Sequence, residues 1–381
     1  MGEQERVKER VRGTLELDGY ERTFQNRAEF LEHQLTGKIV VKGSERPWEL
    51  CRQGYCRFYL HPLLHKDAVL RDWYAFMLDI KTHSGRHRHQ GGLIIFVVEG
   101  KGGTEVDGER LAWEAGDLVL LPVKPNGVEH KHYNAEPGKS CRWLAIVYTP
   151  LWDHVASEFA QLELSPDFIA KYGQPESFIT GKVENTLGSR FFEQLDESTL
   201  YRQGVESASS RTAHGGPQTF YDRLMELRDS QRALRKTASW LVKGHETPWE
   251  QNPQGIMQWL MHPAKKDIVI HTLLTYIQEI PPGSRSGKQR YQGNMLIYII
   301  GGKGYTVIDG VKHPWEAGDV VQLPLRRDGV VFQHFNSDPQ KPARFLACEP
   351  NHVNSAGMDR GSGFEQLEES PDFGSRYEPA A

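Results

Sequence analysis

The sequence of 381 residues contains only four cysteines, and it has neither a long hydrophobic run nor an excess of basic residues. The cysteines, Cys51, Cys56, Cys141 and Cys348, show no CxxC spacing, which argues against zinc fingers and disulfide frameworks. Apolar runs such as residues 93–98 are far shorter than the roughly 20 residues of a membrane helix. The 46 basic and 50 acidic side chains give a net charge of −4, so we expect no nucleic-acid partner.

The remaining composition is that of a folded protein. Hydrophobic residues make up 38% and charged residues 25% of the chain, which is enough to build cores. Residues 1–6 are charged and contain no apolar segment, so we expect no secretory signal there. At about 150 residues per domain, the length indicates two or three domains. The sequence therefore predicts a cytoplasmic protein with no membrane partner.

The chain contains two copies of one pattern. Residues 84–134 align with residues 286–336 without a gap at a constant offset of 202, and 24 of the 51 positions are identical. Further upstream, residues 41–43 recur as residues 242–244 with the same Val-Lys-Gly sequence. Repetition of this extent indicates duplication of one ancestral domain, followed by divergence of the two halves.

Each copy has the pattern of short strands separated by turns. Residues 93–98 form a continuous apolar run that ends at a glycine turn, as a buried strand does. Residues 104–109 alternate in polarity and contain the hairpin signal Asp107-Gly108. Many short strands with glycine-rich turns predict a small antiparallel barrel or jelly roll. The fold class is therefore predicted to be mainly β, with two tandem barrels and flanking helices.

The predicted domain boundaries follow from this repeat. Residues 1–40 form an N-terminal helical arm, and residues 41–173 form the first barrel. Residues 174–240 form a connector with helices, including a short one near residues 187–195. Residues 241–377 form the second barrel.

Four histidines of the first copy carry the candidate chemistry. His87 and His89 are two residues apart on a predicted strand, so their side chains point to the same face and can reach one ion. Adding 202 to each position gives the counterparts in the second copy: His87 and Gln289, His89 and Tyr291, His130 and Phe332, His132 and His334. Three histidines lost together favour one shared purpose, a metal site that only the first copy retains. The alternative is independent drift of surface histidines.

The sequence around these histidines resembles the two motifs of the cupin family. Residues 85–100 and 116–134 carry the resemblance, and over about residues 41–373 the chain is similar to a bicupin, with two jelly-roll β-barrels. The glutamate of the usual first motif is absent, since Leu93 and Ile94 stand there. A ligand set of histidines alone is similar to gentisate 1,2-dioxygenase, salicylate dioxygenase and 1-hydroxy-2-naphthoate dioxygenase. The resemblance implies Fe(II) with the ligands His87, His89 and His130.

This ligand set favours one type of chemistry without fixing the metal. Imidazole suits iron, copper, nickel and zinc. Three neutral ligands leave the ion its full charge, which favours an anionic bidentate substrate, such as a deprotonated hydroxyl beside a carboxylate, a carbonyl or a second hydroxyl, with dioxygen at the remaining position. We therefore predict an Fe(II)-dependent ring-cleaving dioxygenase, and the helical arms and the resemblance favour a homo-oligomer. The alternatives are a metal-dependent isomerase or lyase acting on a small hydroxy acid, and a non-catalytic ligand-binding bicupin.

The substrate contacts depart from the gentisate-type pattern. The arginine expected six residues after the second histidine is Ile95, and the acidic residue expected after the second motif is Ala145. We therefore expect a substrate other than gentisate bound in the usual way: either a catechol or hydroquinone relative, or a carboxylate held by another arginine, with Arg57 and Arg142 as the candidate contacts. His132 is a candidate for acid–base catalysis or for contact with oxygen. Arg142 and His132 both recur in the second copy, so structural roles remain open for them.

Overall fold

The computed structural model describes residues 18–124, 127–157, 159–174, 219–356 and 364–379. The helix predicted near residues 187–195 lies outside the described residues, as do residues 1–17 of the predicted arm. Within the described ranges, no helix combines the length and the apolar character that crossing a membrane requires.

One 18-residue helix precedes each barrel: Gly19–Thr36 before the first and Phe220–Thr237 before the second. The helices are α1 (Gly19–Thr36), α2 (Thr149–His154), α3 (Pro166–Tyr172), α4 (Phe220–Thr237) and α5 (Val353–Ala356). At the start of α1, the Asp18 carboxylate accepts a hydrogen bond from the Glu21 backbone N–H at 2.8 Å. At the start of α4, the side chains of Thr219 and Asp222 each accept a bond from the other's backbone N–H, which completes a capping box. These caps satisfy backbone donors that a helix leaves unpaired at its first turn.

The first barrel consists of two antiparallel sheets. Its strands are β2 (Glu49–Cys51), β3 (Gly54–Leu60), β4 (Trp73–Asp79), β5 (Arg86–His89), β6 (Leu93–Glu99), β7 (Lys101–Val106), β8 (Glu109–Glu114), β9 (Leu118–Leu121), β10 (Val128–Asn134), β11 (Arg142–Tyr148) and β12 (Ala160–Glu163). One sheet runs in the order β9-β6-β11-β4-β3-β2, and the other in the order β12-β5-β10-β7-β8.

The second barrel repeats this arrangement. Its strands are β14 (Trp249–Asn252), β15 (Gly255–Met261), β16 (Leu273–Ile280), β17 (Lys288–Tyr291), β18 (Met295–Gly301), β19 (Lys303–Ile308), β20 (Val311–Glu316), β21 (Val320–Leu323), β22 (Val330–Asn336), β23 (Ala343–Pro350) and β24 (Glu365–Glu368). Its sheets run in the orders β21-β18-β23-β16-β15-β14 and β20-β19-β22-β17-β24. The predicted mainly β fold with two tandem jelly-roll barrels and flanking helices is thus confirmed.

Each barrel receives one short strand from the segment that leads into the other barrel. The strand β1 (Val40–Val41) pairs with β21 of the second barrel, and β13 (Leu241–Val242) pairs with β9 of the first. Each six-stranded sheet thereby becomes seven-stranded. The domain boundaries at residues 41 and 241 stay predictions. At each of them, the short strand belongs to a sheet of the other barrel.

The repeated Val-Lys-Gly segment fixes this exchange. Lys42 forms an ion pair with Asp319 at 2.7 Å, and Lys243 forms the equivalent pair with Asp117 at 2.7 Å. The backbone N–H of Gly43 also donates to the Asp319 carboxylate at 3.0 Å. A Cβ atom added at Gly43 would lie 2.4 Å from a backbone oxygen of the other barrel, so no larger residue fits this close approach.

The seven-stranded sheets are buried on both faces. Leu93, Ile95 and Val97 of β6 point to one face of the sheet and pack inside the first barrel. Ile94 and Phe96 point the other way and join a core cluster that also contains Leu296 and other residues of the second barrel. This two-sided burial explains the unbroken apolar run at residues 93–98, because a strand that faces two cores has no polar side.

Candidate metal centre

The candidate ligands lie on two paired strands of the five-stranded sheet of the first barrel. Along β5 and β10, buried and more exposed side chains alternate, and the histidines take the buried positions. The two strands are antiparallel, with His130 directly opposite His87. Alternation along each strand and pairing between them therefore direct His87, His89 and His130 into the barrel.

The structure brings these three side chains together. Each offers one ring nitrogen, and the three nitrogens lie within 4.8 Å of one another. The ring centroid of His130 is 4.1 Å from that of His87 and 4.7 Å from that of His89. Three imidazole nitrogens gathered this closely form a group that could hold one metal ion.

Hydrogen bonds prepare two of the rings for metal binding. The Nδ1 of His89 lies 2.5 Å from the carbonyl oxygen of Gln90, and the Nδ1 of His130 lies 3.0 Å from that of Val128. A carbonyl oxygen can only accept, so both Nδ1 atoms carry the proton and both Nε2 atoms keep a free lone pair. Backbone carbonyls often orient metal-bound histidines in this way. The Nδ1 of His87 is buried without a hydrogen-bond partner among the described residues.

The protonation states of the rings also fit a metal. Burial lowers the pKa of His89 to about 4. Burial and then the neighbouring His89 lower the pKa of His87 well below its ordinary value. Burial and then the neighbouring His87 do the same for His130. The three rings are therefore neutral at physiological pH, and a neutral imidazole is the form that binds a metal. The donor set and its protonation suit a divalent first-row ion.

The fourth histidine lies beside the three but is held differently. The Nδ1 of His132 is 2.8 Å from the hydroxyl oxygen of Thr104, which accepts a bond from the Trp113 indole N–H at 2.9 Å. The Nε2 of His132 is buried without a partner among the described residues. His334 makes the equivalent contact with Thr306 at 2.8 Å in the second barrel. This chain of hydrogen bonds is therefore common to both barrels.

A cavity of about 70 Å³ opens beside the histidines. Besides His87, His89, His130 and His132, its wall consists of aromatic, apolar and small polar side chains: Cys51, Gln53, Cys56, Phe58, Tyr74, Phe76, Leu93, Ile95, Trp143, Ala145, Trp152 and Phe159. No lysine, arginine, aspartate or glutamate is among these described lining residues. Ile95 and Ala145, which replace the charged residues of the gentisate-type pattern, both line the cavity.

Sequence reasoning missed two rings that cover the histidines. The ring of Phe159 stacks on that of His87 with centroids 5.7 Å apart, and Trp152 lies 5.4 Å from His89. Phe159 is 45% exposed, which places it at the rim of the cavity. Its recurrence as Phe364 was the available signal, but the recurrence does not reveal that the ring covers the site. Trp152 lies on α2, whose docking onto the barrel depends on tertiary contacts.

A pair of thiols also belongs to this wall. The Sγ atoms of Cys51 and Cys56 lie 3.1 Å apart on neighbouring strands, and both cysteines are free. The hydrogen bond from Cys56, the largest influence, lowers the pKa of Cys51 to about 7. Cys141 and Cys348 are also free in this structure.

The structure does not bring Arg57 or Arg142 to the cavity. Both guanidinium groups lie over the ring of Trp48, at 4.6 Å and 5.6 Å from its centroid. Arg142 also lies 3.7 Å from Asp79 and 3.5 Å from Glu99. Side chains alternate between the two faces of a strand, and the residues next to these arginines, Cys56, Phe58 and Trp143, are the ones that face the cavity. Their predicted role as substrate contacts therefore lacks support from the cavity lining.

The second barrel places other residues at the three ligand positions. Tyr291 and Phe332 are buried in its core cluster. The amide of Gln289 donates to the side-chain oxygen of Gln366 at 2.9 Å. Phe332 pairs with Gln289 in the register that pairs His130 with His87 in the first barrel.

Known proteins share the fold of this chain. Residues 76–147 match the model of the cupin domain. A solved structure of oxalate decarboxylase from Bacillus subtilis superposes with a TM-score of 0.53 at 13% identity, covering 87% of this chain and 80% of the other. At this identity the likeness concerns the fold alone.

Curated relatives are similar in sequence. The chain is 27% identical over 267 residues to 5-aminosalicylate 1,2-dioxygenase of Comamonas sp., which is 69% of this chain and 61% of that protein. It is 24% identical over 240 residues to gentisate 1,2-dioxygenase 1 of Aquipseudomonas alcaligenes, covering 62% and 59%. The chain thus spans about three fifths of the length of these relatives. The predicted resemblance to gentisate-type dioxygenases is confirmed at modest identity.

Proposed function

We propose that this bicupin is an Fe(II)-dependent dioxygenase that cleaves the ring of a hydroxylated aromatic compound. The observation that carries the proposal is the convergence of three neutral imidazoles, His87, His89 and His130, inside an aromatic cavity. The dioxygenase names of its curated relatives support the same reaction class. The cytoplasmic location and the homo-oligomeric state stay predictions from the sequence.

The three histidines would hold the iron. When bound, the ion supplies Lewis acidity and a path for electrons between the aromatic substrate and dioxygen. The protein contributes a dry site, because Phe58, Phe76 and Trp143 line the cavity and exclude water. Aromatic walls also favour a flat ring, which can stack against them or meet them edge to face.

His132 would serve as a hydrogen-bond donor rather than as a base. The Thr104 oxygen accepts the Trp113 N–H, and the nearest acceptor for its own proton is the Nδ1 of His132 at 2.8 Å. The Thr104 hydroxyl therefore donates to Nδ1, so the neutral ring carries its own hydrogen on Nε2, which faces no partner among the described residues. Burial lowers the pKa of His132 to about 3, which makes the ring a poor proton acceptor. We propose that Nε2–H donates to an oxygen of the substrate or of dioxygen.

The residues that line the cavity also restrict the class of substrate that it can bind. A carboxylate that does not bind the metal would meet no described cationic side chain in this cavity, since Ile95 and Ala145 occupy the relevant wall and both candidate arginines lie elsewhere. A buried carboxylate without a partner costs free energy. We therefore propose a catechol or hydroquinone type of ring, bound through its hydroxyl groups, in preference to a ring held by a carboxylate–arginine pair.

One experiment tests the proposal. The purified protein is analysed for metal and then screened by oxygen uptake over catechols, hydroquinones, salicylates and aminophenols. We expect iron and oxygen consumption coupled to ring opening. Metal loading with turnover of a hydroxy acid in the absence of oxygen would favour an isomerase or lyase instead. Binding without turnover of any class would favour a ligand-binding bicupin.

A further inference from the structure

The second barrel contains a cavity at the place equivalent to the candidate metal cavity. Its volume is about 210 Å³. The wall consists of amide, aromatic and apolar residues: Asn252, Pro253, Gln254, Met257, Trp259, Tyr276, Gln289, Phe364 and Gln366. Gln289 and Phe364 are the counterparts of His87 and Phe159. Divergence has therefore removed the histidines from this position but has kept a cavity there.

The cavity has the size and walls for one substituted ring. A buried cavity of about 150 Å³ is enough to hold benzene. The rings of Trp259 and Tyr276 lie with their centroids 4.9 Å apart, tilted by 58°. Phe364 lies at the same cavity and contacts Tyr291 at 5.0 Å between centroids. Aromatic surfaces at this spacing suit contact with a flat ligand.

Gln254 gives the cavity its polar character. This residue is 4% exposed, and both its Nε2 and its Oε1 are buried without a hydrogen-bond partner among the described residues. Its backbone is held firmly, because its carbonyl accepts from the amide of Gln278 at 2.8 Å and from Gly287 N–H at 2.9 Å. A buried amide with neither donor nor acceptor satisfied is unfavourable. A ligand that presents both an acceptor and a donor would satisfy it.

The comparison of the two barrels shows how this amide becomes free. In the first barrel, Gln53 is the counterpart of Gln254, and its Nε2 donates to Gln161 Oε1 at 2.8 Å. In the second barrel, the equivalent oxygen of Gln366 accepts from Gln289 at 2.9 Å instead. Gln289 stands where the first barrel has His87. The replacement of a candidate metal ligand by glutamine thus takes the bond partner away from Gln254.

The charge of the wall defines the class of ligand. No lysine, arginine, aspartate or glutamate is among the described residues that line this cavity. An ionised ligand would lose its hydration without gaining a partner of opposite charge. We propose that the second barrel is a metal-free binding site for a small neutral aromatic ligand with a carboxamide group, whose N–H and C=O pair with the Gln254 amide. The proposal does not depend on the function of the first barrel.

Binding of benzamide to the full-length protein tests the proposal. Isothermal titration calorimetry is expected to give one site with a dissociation constant at or below roughly 1 mM, as suits so small a ligand. Benzoate, which has the same shape with a charge, is expected to bind at least about tenfold more weakly. The same affinity for benzamide is expected after removal of metal with a chelator, because no metal takes part.

Matched variants locate the binding site. Gln254→Leu removes the pairing amide and is expected to weaken benzamide binding about tenfold. Gln53→Leu makes the same change at the counterpart position of the first barrel and is expected to leave benzamide binding unchanged. Equal weakening in both variants, or none in Gln254→Leu, would overturn the proposal.

A second readout needs no folded variant at position 254. In the wild-type protein labelled with ¹⁵N-tryptophan, benzamide is expected to shift the indole signal of Trp259, which is assigned through Trp259→Phe. Absence of saturable binding, or shifts confined to the signals of Trp143 and Trp152 in the first barrel, would also overturn the proposal.

Discussion

His130 lies directly opposite His87 across the β5–β10 pair, with 4.1 Å between the ring centroids, and the same register in the second barrel pairs Phe332 with Gln289. The two barrels therefore present one backbone arrangement with two sets of side chains. This relationship provides a control within the same molecule, because any property of the backbone alone must be shared by both barrels.

The first prediction concerns metal content. His87→Ala is expected to abolish iron loading and oxygen-dependent turnover, since losing a direct ligand costs more than the ~10–100-fold typical of changes around a metal site. Gln289→Ala, the matched change in the second barrel, is expected to keep the wild-type metal content. Elemental analysis of both purified variants checks this. Equal metal content in the two variants would mean that the histidines of the first barrel do not bind the ion.

The second prediction separates catalysis from structure at His132. His132→Ala and His334→Ala each break a bond to a buried threonine hydroxyl, so each is expected to lower the free energy of unfolding by about 1–3 kcal/mol. Only His132→Ala is expected to reduce turnover, by about 100-fold, with metal content unchanged. Urea denaturation and oxygen uptake measure the two effects. Full turnover in His132→Ala would leave this histidine with a structural role alone.

The third prediction concerns Arg142, which lies outside the cavity lining and near Asp79 and Glu99. Arg142→Gln is expected to change the KM for any carboxylate-bearing substrate by less than about twofold. Its cost in stability is expected to be at most about 1 kcal/mol, because Arg142 and Glu99 are partly exposed and the buried Asp79 keeps its ion pair with Lys81 at 2.8 Å. Steady-state kinetics with a salicylate and a catechol would check this. An increase of tenfold or more for the salicylate alone would restore Arg142 as a carboxylate contact.

The sequence allowed the candidate ligands to be predicted because two local rules were sufficient. Strand alternation directs His87 and His89 to one face, and comparison of the copies separates His130 from His132. The direction of Arg57 and Arg142 could not be predicted, because it depends on which face of β3 and β11 is the inner one. Hydrophobicity does not settle that question for strands buried on both faces.

The exchange of β1 and β13 was beyond prediction for a different reason. Two-residue strands carry almost no periodic signal, and Val41 and Val320 are nearly 280 positions apart in the chain. Only the repeated Val-Lys-Gly segment pointed to a constraint there. The structure explains it through the ion pairs of Lys42 with Asp319 and of Lys243 with Asp117.

The last prediction concerns Glu349, a fully buried residue of the second barrel whose counterpart in the first barrel is Val147. Burial raises the pKa of Glu349 from 4.5 to about 8, against the opposing influence of the neighbouring Tyr291 hydroxyl. Between pH 4.5 and about 8, Glu349 is therefore protonated in the folded protein and ionised in the unfolded chain. The contribution of Glu349 to stability is complete below pH 4.5 and is lost as the pH rises towards about 8.

Glu349→Gln keeps the shape of the side chain and removes this ionisation. We expect the wild type to lose stability relative to Glu349→Gln between about pH 5 and about pH 8, with a slope of at most about 1.4 kcal/mol per pH unit. Glu349→Val introduces the residue of the first barrel. Its stability is expected to vary with pH as that of Glu349→Gln does, because neither variant has the carboxyl group. Urea denaturation of the three proteins across this range measures the effect, and groups common to all three cancel. Parallel pH profiles would show that Glu349 ionises at its ordinary pKa, which its burial among Tyr276 and Tyr291 argues against.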